Sequence, residues 1–243
     1  MKVVIDMSVM IYGKNPCKEI LAAGRPVRGA FIQSGTNADL AAGLKAAGIP
    51  FCVLDKKAFD RNYPGNHQGV VFEIDGYKTL TLDEAFSKHA AIVHPLYLML
   101  DGIEDPHNLG AIIRSAEAGG VTGIIIPKDR SVGITGAVAK VASGALEYLD
   151  VIEVTNLAQT IEKLKKHGFW IVGTAMDAVK KHTDIDVSTP LCVVIGSEGK
   201  GMGRLIKDSV DYCVRIPMAG KANSLNASVA AGVIIFEILR KRG

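Results

Sequence analysis

Four polar residues in this chain have side chains and settings that could do chemistry: Asn108, Arg114, Glu198 and Asn226. An amide offers both a donor and an acceptor and can orient a neighbouring group. A guanidinium, with a reference pKa of about 12.5 or higher, stays charged and can stabilise negative charge that develops beside it. A carboxylate can hold either. Taken singly, each has a plainer reading: helix caps for Asn108 and Asn226, a loop cap for Glu198 and a surface position for Arg114.

Glu198 and Asn226 belong to one stretch, residues 191–226. It opens with the apolar run Leu191-Cys192-Val193-Val194-Ile195. A glycine-rich loop follows, Gly196-Ser197-Glu198-Gly199-Lys200-Gly201-Met202-Gly203. A short polar helix and a second apolar run near Cys213–Ile216 lead to a second loop, residues 217–226. Two buried strands, each ending in a loop of small residues, place one cleft at the carboxyl ends of parallel strands. The first loop is not a Walker A motif, because Val194 stands where its first glycine belongs and Gly201 follows Lys200. Nor is it the dinucleotide pattern, whose third glycine is replaced by Arg204. A tight structural turn is an equal reading of the loop alone.

Asn108 and Arg114 sit on a helix that announces itself. Asp105 is a good N-cap and Pro106 suits the first helical position. Leu109, Ile112, Ile113 and Ala116 repeat at helical spacing and bury one face. Arg114 falls off that stripe, and Gly119-Gly120 ends the helix. Around it, strands at Leu96–Leu100, Val121–Ile126, Val151–Val154 and Phe169–Gly173 alternate with helices near 137–143 and 156–167. Such alternation gives an α/β fold with a mainly parallel sheet covered on both faces. The last helix, about 224–240, carries Leu225, Val229, Val233, Ile234, Phe236 and Ile238 nearly all round. It must be covered on more than one side. Cover by its own sheet and by a second subunit makes the protein a homodimer; full burial in one monomer core is the alternative.

Residues 1–74 form a small α/β unit with helices near 16–21 and 37–47 and strands at Val27–Gln33, 51–54 and 69–74. The more polar stretch 75–94 is a linker and 95–243 a second domain. The first unit holds nine basic and six acidic residues, an excess equal to the +3 of the whole chain. That is an ordinary solvated surface or a modest phosphate-facing one, with His67 and Gln68 as polar groups at a loop. Hydrophobic residues make up 48% and charged ones 22% of the 243, ordinary globular values. The four cysteines are scattered without a C-x-x-C pair, as expected of reduced thiols in a cytoplasmic protein with no metal site. No signal peptide and no bilayer-spanning run is seen, so no membrane partner is expected.

Three segments together resemble the SpoU (TrmH) branch of the SPOUT RNA methyltransferases. The first runs from Asp101-Gly102 through Asp105-Pro106-His107-Asn108-Leu109-Gly110 to Ile113-Arg114. The second is Val194 to Gly201. The third is Ile216-Pro217-Met218 with Ser224-Leu225-Asn226-Ala227-Ser228. Ile11 to Pro16 and His67-Gln68-Gly69-Val70 are similar to the family's RNA-binding front end, so the likeness covers nearly the whole chain. It implies a trefoil knot in the catalytic domain, an obligate dimer, and S-adenosylmethionine as methyl donor with no metal. It implies that Thr174, Gly196, Ile216, Met218 and Leu225 line an adenosine pocket, with Glu198, Gly199 and Ser224 as further cofactor contacts. Asn108, Arg114, Glu198 and Asn226 become the catalytic set. The implied reaction is methylation of a ribose 2′-hydroxyl of a guanosine in 23S rRNA. A tRNA ribose methyltransferase, an rRNA methyltransferase conferring antibiotic resistance and a non-catalytic RNA-binding factor are the alternatives.

Overall fold

A computed structural model describes residues 8–221 and 224–243. The first seven residues, and Ala222 and Asn223 of the second loop, lie outside the described residues. The chain forms two compact units, residues 1–77 with 134–147, and residues 78–133 with 148–243.

The first unit runs β1 (Ser8–Tyr12), α1 (Lys14–Ala22), β2 (Val27–Gln33), α2 (Ala38–Ala46), β3 (Cys52–Leu54), α3 (Lys56–Asn62) and β4 (Val70–Asp75). Its sheet has the order β1-β4-β2-β3, antiparallel except for the parallel β2/β3 pair. The central β4 is Val-Val-Phe-Glu-Ile-Asp, and its Val70, Val71, Phe72 and Ile74 are fully buried. β1 and α3 escape the pattern reading, since β1 is mostly half-buried and α3 presents a single buried residue, Phe59. His67 and Gln68 brace their loop instead of standing free. His67 accepts from the Gly69 amide and bonds Asp60 at 3.0 Å, and Gln68 accepts from the Lys14 amide at 2.8 Å.

A later helix, α6 (Gly136–Ala142), also belongs to this unit. The sequence puts it with the second domain; the structure covers its buried Val138, Ala139 and Ala142 with elements of the first. A Cβ on Gly136 would meet the Met10 carbonyl, so helix and strand touch backbone to backbone. Glu147 then pairs with Arg25 at 3.3 Å, and Arg25 lies over the Tyr77 ring at 4.1 Å. These partners are distant in sequence, which is why no local periodicity reports them.

The second unit runs α4 (Leu82–Lys88), β5 (Leu96–Asp101), α5 (Pro106–Ala118), β6 (Gly123–Pro127), β7 (Asp150–Val154), α7 (Leu157–Lys166), β8 (Trp170–Thr174), β9 (Lys180–Lys181), β10 (Leu191–Gly196), α8 (Arg204–Ser209), β11 (Tyr212–Arg215) and α9 (Ala227–Arg242). Its seven strands pair in parallel in the order β7-β6-β5-β10-β8-β11-β9. Continuous apolar runs such as Leu96–Leu100 and Leu191–Ile195 are buried throughout, as strands covered on both faces must be. On one face Tyr97, Met99, Ile125, Ile152 and Val194 pack with Leu82, Ile161 and Leu164. α5 and α9 lie together, so close that a Cβ on Gly119 would collide with Ile235. α9 buries Ala231, Ile234, Ile235 and Ile238 but leaves Val229, Val233, Phe236 and Leu239 exposed. Ile238 thus belongs to the inward face.

Candidate active site

The site gathers at the carboxyl ends of β8, β10 and β11. β10 enters between β5 and β8, which are far apart in the chain; such reversals of strand order are where open α/β sheets bind ligands. A cavity of about 640 Å³ opens there, within the usual range for small-molecule sites. All eight residues named for the cofactor line it: Thr174, Gly196, Glu198, Gly199, Ile216, Met218, Ser224 and Leu225. Apolar side chains from α9, including Ile234, complete the wall.

The glycine-rich loop owes its shape to backbone contact. Ser197 and Gly201 exchange amide–carbonyl bonds of 3.1 and 2.9 Å. Gly199 and Gly201 have φ of 77° and 65°, the left-handed region that disfavours a Cβ. A Cβ on Gly196 would run into the backbone of Gly201 and Met202. The loop is therefore a tight structural turn and a cavity wall at once. Thr174 donates to the Val194 carbonyl at 3.0 Å, joining β8 to β10, and Asp101 at the end of β5 accepts from the Gly203 amide at 2.7 Å. Cys192, in β10 beneath the loop, is fully buried; burial pushes its thiol up, so it stays protonated.

Three of the four catalytic candidates converge at the rim. One oxygen of Glu198 accepts from the Asn108 amide at 3.1 Å, from the Ala227 backbone amide at 3.1 Å, and from the Asn226 amide. Asn226 also donates to the Asn108 carbonyl oxygen at 2.9 Å. The other end of Asn226 caps α9, accepting from the Ser228 and Val229 amides. Asp105 caps α5 through the His107 amide at 2.9 Å. Two helix N-termini and the β10 loop thus meet on one carboxylate, where the positive ends of the helices favour it. The Ala227 amide is a member that pattern reading missed; its signal was its place just after the N-cap.

Arg114 stands apart. It is exposed on α5, does not line the 640 Å³ cavity, and makes no hydrogen bond or ion pair among the described residues. One oxygen of Glu198 takes the Asn108, Asn226 and Ala227 donors, and Arg114 is not among its partners. Among the described residues no three His, Cys, Asp or Glu side chains come together as a metal site would need.

Residues 95–236, more than half the chain, match the model of the SpoU rRNA methylase family. The chain belongs to that family. Residues 10–80 match the model for RNA 2′-O ribose methyltransferase substrate binding. A Bacillus subtilis (strain 168) relative, named as the TrmH family tRNA/rRNA methyltransferase YacO, is 44% identical over 96% of this chain and 95% of its own. Two solved structures superpose. The SpoU methyltransferase AviRb of Streptomyces viridochromogenes, in complex with AdoMet, has a TM-score of 0.83 at 24% identity, over 97% of this chain and 91% of that one. An AdoMet-bound rRNA methyltransferase of Sinorhizobium meliloti has a TM-score of 0.78 at 24% identity, over 97% and 88%. The resemblance to the SpoU family, and the α/β fold with a mainly parallel sheet read from strand–helix alternation, therefore hold.

Proposed function

We propose that this protein is an S-adenosylmethionine-dependent methyltransferase acting on the ribose 2′-hydroxyl of a guanosine in 23S rRNA. The observation that carries the reading is the 640 Å³ cavity, lined by every residue named for the cofactor and rimmed by the Asn108–Glu198–Asn226 cluster. The cavity fits the donor: Ile216, Leu225 and Ile234 give it an apolar wall, and the glycine loop lets backbone groups come close. When bound, S-adenosylmethionine supplies a methyl group on an activated sulfonium.

The chain's own residues align the partners and handle a weakly acidic hydroxyl. Alignment alone can contribute several kcal/mol. Asn108, held by Glu198 and Asn226, keeps one amide N–H that can orient the ribose, and Asn226 fixes it in place. Arg114, without a hydrogen bond or ion pair among the described residues, is available to the alkoxide that develops on the 2′-oxygen, with an RNA phosphate as the group that can draw the proton. The first unit reads the RNA: Lys56, Lys57 and Arg61 of α3 are exposed and without ion-pair partners among the described residues. The exposed apolar face of α9 supports a homodimer, because four large side chains on one helix seldom stay in water. We place the protein in the cytoplasm, with a trefoil knot in its catalytic domain. A tRNA ribose is the second reading, favoured by the tRNA/rRNA description of the Bacillus relative.

The test is to incubate the purified protein with tritium-methyl S-adenosylmethionine and with 23S rRNA or tRNA from cells lacking it. Alkali-resistant label at a single 23S guanosine is the expected result. Label confined to tRNA moves the assignment to the second reading, and label in no RNA rejects both.

A further inference from the structure

A second cavity, about 830 Å³, opens in the same unit at the carboxyl ends of β5, β6 and β7. The methyl-donor reading makes no use of it. It shares a wall with the first cavity: Ser197, Glu198 and Gly201 face both, and Asn108 lines the second. A ribose that reaches the Asn108–Glu198 rim to meet a donor in the first cavity carries its base into, or beside, the second. RNA enzymes commonly splay a base out of its stack and read its Watson–Crick edge.

The lining suits a base. Pro127, Leu157, Ala158 and Ile206 supply apolar surface for a flat ring. Glu104 and Asp129 line the opening, exposed and with no hydrogen bond or ion pair among the described residues. An ionised carboxylate accepts two donors side by side. Guanine is the base with two adjacent donors on one edge, N1–H and the N2 amino group. Adenine and cytosine offer one amino group, and uracil one imide N–H. Resting on the ribose-methylation reading, we propose that this second cavity receives the everted base of the target nucleotide and that Glu104 and Asp129 select guanine.

Saturation-transfer NMR on the full-length protein, with S-adenosylhomocysteine present, can measure binding of guanosine, inosine and adenosine 5′-monophosphates. Inosine lacks only the N2 amino group. The guanosine nucleotide should bind at least fivefold more tightly than the other two. Glu104→Gln with Asp129→Asn should bring all three within twofold. Ala158→Trp, which fills the cavity, should weaken the guanosine nucleotide more than tenfold. S-adenosylmethionine affinity within twofold of the parent certifies the fold of each variant. Should Ala158→Trp fail that check, the carboxylate pair, both exposed, decides alone. Equal binding of guanosine and inosine nucleotides, or selectivity unchanged in the carboxylate pair, overturns the proposal. Methyl transfer to a ribose bearing another base overturns guanine selection while the methyltransferase reading stands. Guanosine selectivity without transfer to any RNA supports the base site and removes that reading.

Discussion

Glu198 holds three donors on one oxygen while Arg114, six residues along α5 from Asn108, has no hydrogen-bond or ion-pair partner among the described residues. That contrast separates what builds the site from what is free to react. Arg114→Ala should leave S-adenosylmethionine affinity within about twofold, because the residue does not touch the cavity, yet lower methyl transfer by about 10²-fold or more, the usual cost of losing one charge-stabilising donor. Calorimetry beside a tritium-methyl assay reads both; near-normal turnover would remove Arg114 from the mechanism. Gly196→Ala should do the opposite and abolish cofactor binding, since its methyl group has no space against the Gly201–Met202 backbone. A cofactor titration of the folded variant checks it. The eleven candidate positions come from the family resemblance; residue types and spacing alone read Asn108 and Asn226 as helix caps, Glu198 as a loop cap and Arg114 as a surface residue. They did not reveal that Asn226 both caps a helix and joins the cluster, because a cap and a site are the same side chain seen from two ends.

Helices were most legible where a cap marked their start, as at Asp105-Pro106 or at Asn156, which accepts from the Gln159 amide. Short elements such as β9, two residues long, carry no period to read. Nor does pattern show the link from α4 to β7. Buried His89 bonds the Tyr97 hydroxyl at 2.8 Å and Asp150 at 2.9 Å, and Lys88 reaches Asp150 at 2.7 Å. Partial burial alone would raise the Asp150 pKa, but Lys88 and His89 outweigh it and hold the carboxyl below its usual value. Asp150→Asn should therefore cost about 1–3 kcal/mol, the penalty for disturbing a buried polar partner. A group with a lowered folded pKa stabilises above its unfolded pKa of about 3.9 and loses that effect as pH falls. Urea denaturation of parent and variant should thus differ at pH 7 and converge below about pH 4. On α3, replacing Lys56, Lys57 and Arg61 by alanine should weaken rRNA binding by about tenfold or more. It should also flatten the salt dependence by about two in log–log slope, at roughly 0.7 per lost phosphate contact. Filter binding at several salt concentrations measures this; an unchanged slope would place the RNA elsewhere.

At the scale of the molecule, the proposed homodimer rests on the outer face of α9. Phe236→Asp puts a charge among Val229, Val233 and Leu239 and should convert a dimer to a 25.8 kDa particle in light scattering. A parent protein already of that mass would show that the face has another use. The two-unit division was legible only in part. Composition marks a boundary near residue 75, but α6 joins the first unit through packing that sequence separation hides.

That return of α6 to the first unit sets an order of events during synthesis. The four strands are complete once Tyr77 is made, but α6, which packs on β1, arrives about sixty residues later. At roughly 5–20 residues per second, the exposed side of β1 waits several seconds for its cover. Nascent chains stalled shortly after Tyr77 should be cut readily by protease within the first unit. Chains stalled far enough beyond Glu147 for it to clear the ribosome should resist, so the front of the molecule is finished only by its middle.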